Sequence, residues 1–185
     1  MQASSGRPTD TGDQRCAAHR YHTAMQVRLA LPGDTEAIRS IYNAEVLGST
    51  VTLDLEPRDS TQQVAWLARH RGAHPVVIAH DAGAVAGFGS LSTYRDRPAY
   101  ATTVESSVYV DSAHRGRGVG RLIVQELIGL AREHGFHTVI ARVVGDNQPS
   151  TKLHLACGFE LVGVERQVGR KFGRWLDVAV MQLLL

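Results

Sequence analysis

Apolar positions along the chain recur in blocks that change between the two-residue period of a strand and the 3.6-residue period of a helix. The first block is a strand that Pro32-Gly33 ends. Its alternating apolar residues are Val27, Leu29 and Leu31. Asp34 is placed to cap a first helix. The apolar face of that helix comprises Ala37, Ile38, Ile41 and Tyr42. Ser60 and Gln63 form the capping box of a second helix.

The middle of the chain predicts a hairpin and one long helix. Strands at 75–80 and 84–93 are joined by Asp81-Ala82-Gly83, a typical hairpin turn. The clearest helix spans Val119–Glu133, and Gly135 ends it. Its wide apolar stripe comprises Val119, Leu122, Ile123, Leu127, Leu130 and Ala131.

The remaining blocks complete an α/β pattern. Further strands are predicted at 102–110, 137–144, 159–168 and 175–184, and a short helix at 149–156. The order and spacing of these elements predict one α/β domain over residues 25–185, with a mixed central sheet flanked by helices.

Residues 1–24 show neither period and are rich in Ser, Thr, Gly and Asp, so we expect a disordered leader outside the fold. Asp10 and Asp13 weigh against an amphipathic targeting peptide, and translation from Met25 is an open alternative. Cys16 and Cys157 are too far apart to suggest a disulfide framework or a metal site, which fits a reducing cytoplasm.

Composition indicates an ordinary soluble protein. Apolar residues make up 43% of the chain and charged residues 21%. A formal net charge of +2 is too small to indicate a nucleic-acid or membrane partner. No apolar run approaches the length of a membrane span.

The most informative segment lies between the strand at 102–110 and the long helix. It holds glycines at alternate positions, Gly116, Gly118 and Gly120. Glycine lets backbone N–H groups approach a ligand, and the helix N-terminus adds free donors and a positive dipole end, so a pyrophosphate fits there. Arginines at 115, 117 and 121 add positive charge. Taken alone, the segment is an anion site, a plain tight turn, a solvated basic loop or a loop that touches RNA.

Two motifs distinguish these alternatives. Arg115-x-x-Gly118-x-Gly120 resembles the acetyl-CoA pyrophosphate motif of the GNAT superfamily of N-acetyltransferases. Asn147-x-x-Ser150-x-x-x-His154-x-x-x-Gly158-Phe159 resembles the second half of that superfamily's cofactor site. Within the superfamily, the chain is most similar to the phosphinothricin and methionine sulfoximine acetyltransferase group. The segments that carry this similarity are 41–43, 94–100, 103–110 and 168–178.

The resemblance implies direct transfer of an acetyl group from acetyl-CoA, without a metal, to the α-amino group of a small amino-acid analogue. Phosphinothricin, methionine sulfoximine and methionine sulfone are the candidates, and a homodimer is implied. The implied cofactor contacts are Val108, Tyr109, Val110, Arg115, Gly116, Arg117, Gly118, Val119, Gly120, Arg121, Asn147 and Ser150. Acetylation of another small amine, or a non-catalytic acyl-CoA-binding regulator, remain as alternatives.

Acetyl transfer to an amine requires that the ammonium lose a proton and that the leaving thiolate gain one. Glu105 lies in an apolar strand that leads to the glycine segment, and alternation places Ser107 and Tyr109 on its face. Glu105 is the candidate base, and a glutamate facing solvent is the alternative. His154 is the candidate acid, because an imidazole pKa of about 6.5 permits proton transfer at neutral pH. A histidine packed in a helix is the alternative.

A zwitterionic acceptor also needs a cation for its carboxylate. The segment before the strand at 102–110 could supply it through Arg95, Arg97, Pro98, Ala99 and Tyr100. A solvated basic loop is the alternative. The family resemblance implies that Lys171, Phe172 and Trp175 line the site across a dimer contact, and a turn plus ordinary core is the alternative.

Overall fold

The computed structural model describes residues 25–185, so the predicted leader and Cys16 lie outside the described residues. The described residues form seven strands and four α-helices. The strands are β1 (Gln26–Leu29), β2 (Val76–Asp81), β3 (Ala84–Thr93), β4 (Thr103–Val110), β5 (Thr138–Val144), β6 (Glu160–Lys171) and β7 (Arg174–Leu184). The helices are α1 (Thr35–Gly48), α2 (Ser60–Arg69), α3 (Val119–Glu133) and α4 (Gln148–Ala156).

All seven strands join one sheet in the order β1-β2-β3-β4-β5-β7-β6. Neighbouring strands are antiparallel except β4 and β5, which are parallel. The expected mixed sheet flanked by helices is therefore confirmed.

The parallel pair is only half formed. β4 and β5 pair from Thr103 with Thr138 to Ser106 with Ala141, although both strands continue for several residues. Beyond that point β4 stays paired with β3 and β5 stays paired with β7. The sheet therefore splits down its middle, and two backbone edges face each other across a gap.

Two apolar layers cover the sheet. On one face, α3 packs its buried residues against alternate positions of the strands, among them Val104 of β4 and Val139 of β5. On the other face, α1 and α2 pack on Phe88, with Tyr109 of β4 partly buried beside it. β4 thus presents its even-numbered residues to α3 and its odd-numbered residues to the opposite face.

The structure corrects several local predictions. The buried stripe of α3 includes Val124 and Ile128, whereas Leu122 is 38% exposed. The capping box of α2 lies one residue earlier than predicted. The carboxylate of Asp59 accepts from the Gln62 N–H at 2.7 Å, and the Gln62 amide oxygen accepts from the Asp59 N–H at 2.9 Å.

The last two strands also differ from the prediction, because they extend into a tight hairpin around Phe172-Gly173. Both turn residues adopt positive φ, 50° and 75°, which matches the twist of paired strands. Next to this turn, Lys171 pairs with Arg174 and Arg170 pairs with Trp175.

Candidate active site

The gap between β4 and β5 opens into a cleft of about 540 Å³. Its walls are the second halves of the two strands, the glycine segment and the first two turns of α4. Two residues from the α1 side, Glu45 and Val51, complete it. Because the strands part here, main-chain groups of Val108 to Val110 and of Val143 and Val144 border a space that a ligand can enter.

The glycine segment has the geometry of an anion site. Gly116 and Gly118 adopt positive φ, 73° and 82°, and a Cβ at either position would meet nothing within 4 Å. Gly118 is the N-cap of α3, and no side chain caps that helix. The free N–H groups of the first turn and the positive helix end therefore adjoin the cleft.

Gly120 differs from the other two glycines, because it permits close packing between α3 and α4. A Cβ at this position would lie 2.9 Å from Cδ2 of Leu153 on α4. The absence of a side chain therefore lets the N-terminal turns of α3 and α4 approach one another beside the cleft.

The three arginines of the segment differ in their surroundings. Arg115 forms an ion pair with Glu45, and Arg117 forms one with Asp81 at 2.7 Å. Arg121 is exposed and borders the cleft, as does Arg115, whereas Arg117 does not. Sequence reasoning missed Glu45, a carboxylate only 8% exposed. Its place among the buried positions of α1, four residues after Ile41, was the available signal.

Asn147 and Ser150 both border the cleft. Asn147 also caps α4, since its side-chain oxygen accepts from the Ser150 N–H at 3.2 Å. Asn147 therefore caps α4, and this capping is compatible with contact between both residues and a cofactor. Cys157 packs against the core below, and burial raises the pKa of its thiol, which disfavours a nucleophilic role.

His154 borders the cleft on α4 and is 4% exposed. Its Nδ1 lies 2.8 Å from the Ser150 carbonyl oxygen, which can only accept, so Nδ1 carries the proton. Nε2 has no partner among residues 25–185. Burial lowers the pKa of the imidazole. The single proton of the neutral ring is therefore held in the hydrogen bond from Nδ1 to Ser150. The role of His154 as a proton donor stays a prediction, and it requires that Nε2 first gain a proton.

Glu105 lies on β4 opposite Ile140 of β5, one residue before the paired part of the two strands ends. It does not border the cleft itself but stands at its closed end, on the same face as Ser107 and Tyr109, which do. Burial raises the pKa of Glu105, the nearby Arg142 lowers it and Glu165 raises it. The net effect is a raised pKa, as a group that takes up a proton near neutral pH requires.

The residues predicted to bind the acceptor do not meet at this cleft. Arg95, Arg97, Pro98 and Ala99 are exposed, and Tyr100 is half-buried in the short turn before β4. The Arg95 guanidinium lies over the Tyr100 ring, 5.8 Å from its centroid. Their substrate role stays a prediction.

The hairpin residues divide into a buried and an exposed group. Lys171 is 2% exposed, and its Nζ donates to the Thr52 carbonyl oxygen at 3.0 Å. Burial lowers the pKa of this amine. Phe172 and Trp175 are 59% and 61% exposed.

Residues 36–159 match the profile of the Acetyltransferase (GNAT) family, a range that includes the two parting strands β4 and β5 and the glycine segment. The chain belongs to the GNAT acetyltransferase family. GNAT acetyltransferases use acetyl-CoA, so the predicted family, fold class and co-substrate are confirmed.

Three similar proteins illustrate the relationship. The L-amino acid N-acyltransferase MnaT of Escherichia coli is 39% identical over 87% of this chain and 94% of its own. The L-methionine sulfoximine/L-methionine sulfone acetyltransferase of Salmonella typhimurium is also 39% identical, over 87% and 95%. A crystal structure of a GNAT superfamily phosphinothricin acetyltransferase from Sinorhizobium meliloti in complex with AcCoA has a TM-score of 0.84. It is 37% identical and covers 87% of this chain and 88% of its own.

The site of this GNAT chain fits acetyl-CoA. The open glycines and the uncapped start of α3 suit a pyrophosphate, and the free strand edges suit the amides of a pantetheine arm. Among residues 25–185, no group of three or more His, Cys, Asp or Glu side chains is arranged to hold a metal ion.

The raised pKa of Glu105 predicts a measurable effect on stability. The folded chain holds this proton to higher pH than the unfolded chain, so the free energy of unfolding falls as pH rises between the ordinary and the raised pKa. Glu105→Gln should remove that loss. We expect a higher Tm than wild type at neutral pH and no difference below the ordinary glutamate pKa, measured by calorimetric scans across pH.

The matched control for this prediction is Glu126→Gln, which changes an exposed carboxylate on α3 and should leave Tm unchanged at each pH. A Glu105→Gln variant that is less stable than wild type at neutral pH would contradict the prediction.

Proposed function

We propose that this GNAT acetyltransferase transfers the acetyl group of acetyl-CoA to the α-amino group of a small amino-acid analogue. Methionine sulfone, methionine sulfoximine and phosphinothricin are the proposed acceptors. The observation that carries the proposal is the position of Glu105. This carboxylate of raised pKa stands at the closed end of the cleft, and the glycine segment lines the same cleft. The similar enzymes align over nearly the whole described chain, and their names support an amino-acid analogue as the acceptor.

Acetyl-CoA supplies the thioester that serves as the acyl donor. In this chain, the N–H groups of the glycine segment and the start of α3 would hold the pyrophosphate, with Arg115 and Arg121 beside it. The main chain of Val108, Tyr109 and Val110 would bond to the pantetheine arm as an added strand does. Asn147 and Ser150 would contact the same arm from the start of α4.

Glu105 would accept the proton of the acceptor's ammonium, directly or through a water, so that the free amine attacks the thioester carbonyl. No enzyme nucleophile is needed in this scheme, in keeping with the buried thiol of Cys157. The thioester C–S bond would break as the amide forms, and coenzyme A would leave as its thiol. His154, which borders the same cleft, would donate that proton once its Nε2 is protonated. The turn that carries Arg95 and Arg97 precedes β4 on the Glu105 side, where its positive charge would attract an anionic acceptor.

A panel of acceptors tests this function. Thiol release from acetyl-CoA should be fast with methionine sulfone, methionine sulfoximine or phosphinothricin, and Glu105→Gln should lower kcat by about 100-fold or more. Acetyl-CoA affinity should not change in that variant. Comparable kcat/KM with a polyamine would overturn the acceptor class. Tight acetyl-CoA binding without turnover on any amine would instead indicate a non-catalytic regulator.

The proposed enzyme is a cytoplasmic homodimer without a nucleic-acid or membrane partner. The free Cys157 is compatible with a reducing compartment, and the net charge of +2 gives no basis for binding polyanions. No helix among residues 25–185 is both long and apolar enough to cross a membrane. The edge strand β6 and its hairpin expose large apolar side chains, which supports pairing with a second copy. These residues are Leu161, Val162, Val164, Val168, Phe172 and Trp175.

The dimer proposal predicts that Trp175→Glu favours the monomer, because a charge would be buried in an apolar interface. Sedimentation velocity should show a wild-type dimer and a predominantly monomeric variant. Leu47→Glu, which changes an exposed leucine on α1, is the control and should remain dimeric. A monomeric wild-type chain would refute the proposal.

A further inference from the structure

A second charged residue, Arg142, lies near Glu105 at the closed end of the cleft. Arg142 lies on β5, one residue after the last pair that β5 makes with β4, and it borders the cleft. Its Nη2 donates to the carboxylate of Glu165 on β6, across the intervening strand β7. Among residues 25–185, no acceptor contacts its Nη1 or Nε, and the side chain is 29% exposed. The guanidinium is therefore held by Glu165 through Nη2, while Nη1 and Nε remain available to a ligand.

Strand register places Arg142 on the face of Glu105. Glu105 pairs with Ile140, and Arg142 is two residues beyond Ile140, so both charged side chains leave the sheet on the same side. Neighbours of Arg142 on β5, such as Val143, belong instead to the core under α3. No ion pair within 4 Å joins Glu105 and Arg142, although the arginine lowers the pKa of the glutamate. An anion and a cation therefore stand near each other on adjacent strands without neutralising each other directly.

This arrangement is complementary to a zwitterion. In an α-amino acid, the ammonium and the carboxylate are bonded to the same carbon, so the groups that recognise them must also be neighbours. Arg142 is the diagonal neighbour of Glu105 across the two strands, and diagonal neighbours lie about 7–8 Å apart, within the reach of a long side chain such as arginine. Arginine binds a carboxylate through two parallel N–H donors, and Arg142 has donors left after its bond to Glu165.

The other candidate cations are less suited to this task. Arg95 and Arg97 are exposed and do not border the cleft. Arg115 is paired with Glu45, and the Nζ of Lys171 donates to a backbone carbonyl.

We propose that Arg142, anchored by Glu165, binds the α-carboxylate of the acceptor and thereby aligns its amino group with Glu105. This inference rests on the proposed function and adds a specificity-determining residue to it. The acceptor class it selects is the free α-amino acid, in preference to amines that lack an adjacent carboxylate.

The test compares two acceptors, L-methionine sulfone and its α-carboxamide, in wild type and in Arg142→Met. Wild type should prefer the acid, by kcat/KM, by at least about tenfold, since hydrogen bonds to charged groups have effects of this size. Arg142→Met should lose this preference, mainly through KM for the acid, and keep its KM for acetyl-CoA. Comparing the acid-to-amide ratio of kcat/KM between wild type and the variant cancels the intrinsic reactivities of the two acceptors, and any change in Glu105 that affects both acceptors equally.

Two further variants sharpen the test. Arg142→Lys keeps the charge without the paired donors and should retain an intermediate preference, which also serves if the methionine variant folds poorly. Arg166→Met changes an exposed arginine on β6 and should retain the full preference. A preference that survives in Arg142→Met, or a wild type that acetylates both acceptors equally well, would overturn the inference. A wild type that acetylates neither acceptor would instead refute the proposed function.

Discussion

The parting of β4 and β5 after Ser106 and Ala141 is the constraint on which the rest of the structure depends. Backbone N–H and C=O groups must find partners, and each strand keeps one full neighbour, β3 or β7, while its other edge is left to a ligand. Close packing lies on both faces of β4 beside the gap. Gly120 lets α3 approach α4 on one side, and Tyr109 stacks on Phe88 at 5.1 Å on the other.

Charges are concentrated at the two ends of this gap. At the glycine end, Glu45 pairs with Arg115, and at the closed end Glu105 and Glu165 flank Arg142. Carboxylates removed from water lower stability unless they are paired, as the raised pKa of Glu105 illustrates. In the proposed reaction the raised pKa of Glu105 favours its role as a base, because a general base must take up the proton of the ammonium.

Apolar periodicity and glycine spacing predicted the elements whose bounds depend on neighbouring residues in the sequence. The bounds of α3 and the glycine segment follow from apolar periodicity and glycine spacing, and both agree with the structure. The capping box of α2 was misplaced by one residue, because Asp59 and Ser60 are adjacent and both are favourable N-cap residues.

The charged residues of the site were harder to predict, because their partners are distant in sequence. Arg142 looks like a solvent-facing residue of a strand until the register with β4 and the position of β6 are known. Glu45 is seventy positions from Arg115, and no local pattern connects them. The loop at 95–100 precedes β4 in sequence, yet its arginines do not border the cleft.

Calorimetric titration with acetyl-CoA tests most directly whether the split strands and the glycine segment form the cofactor site. Gly118→Glu is the decisive variant, because it places a side chain at φ 82° and a negative charge where the pyrophosphate would lie. We predict micromolar binding of one acetyl-CoA per wild-type chain and no detectable binding by the variant. Equal affinities for wild type and Gly118→Glu would contradict the account.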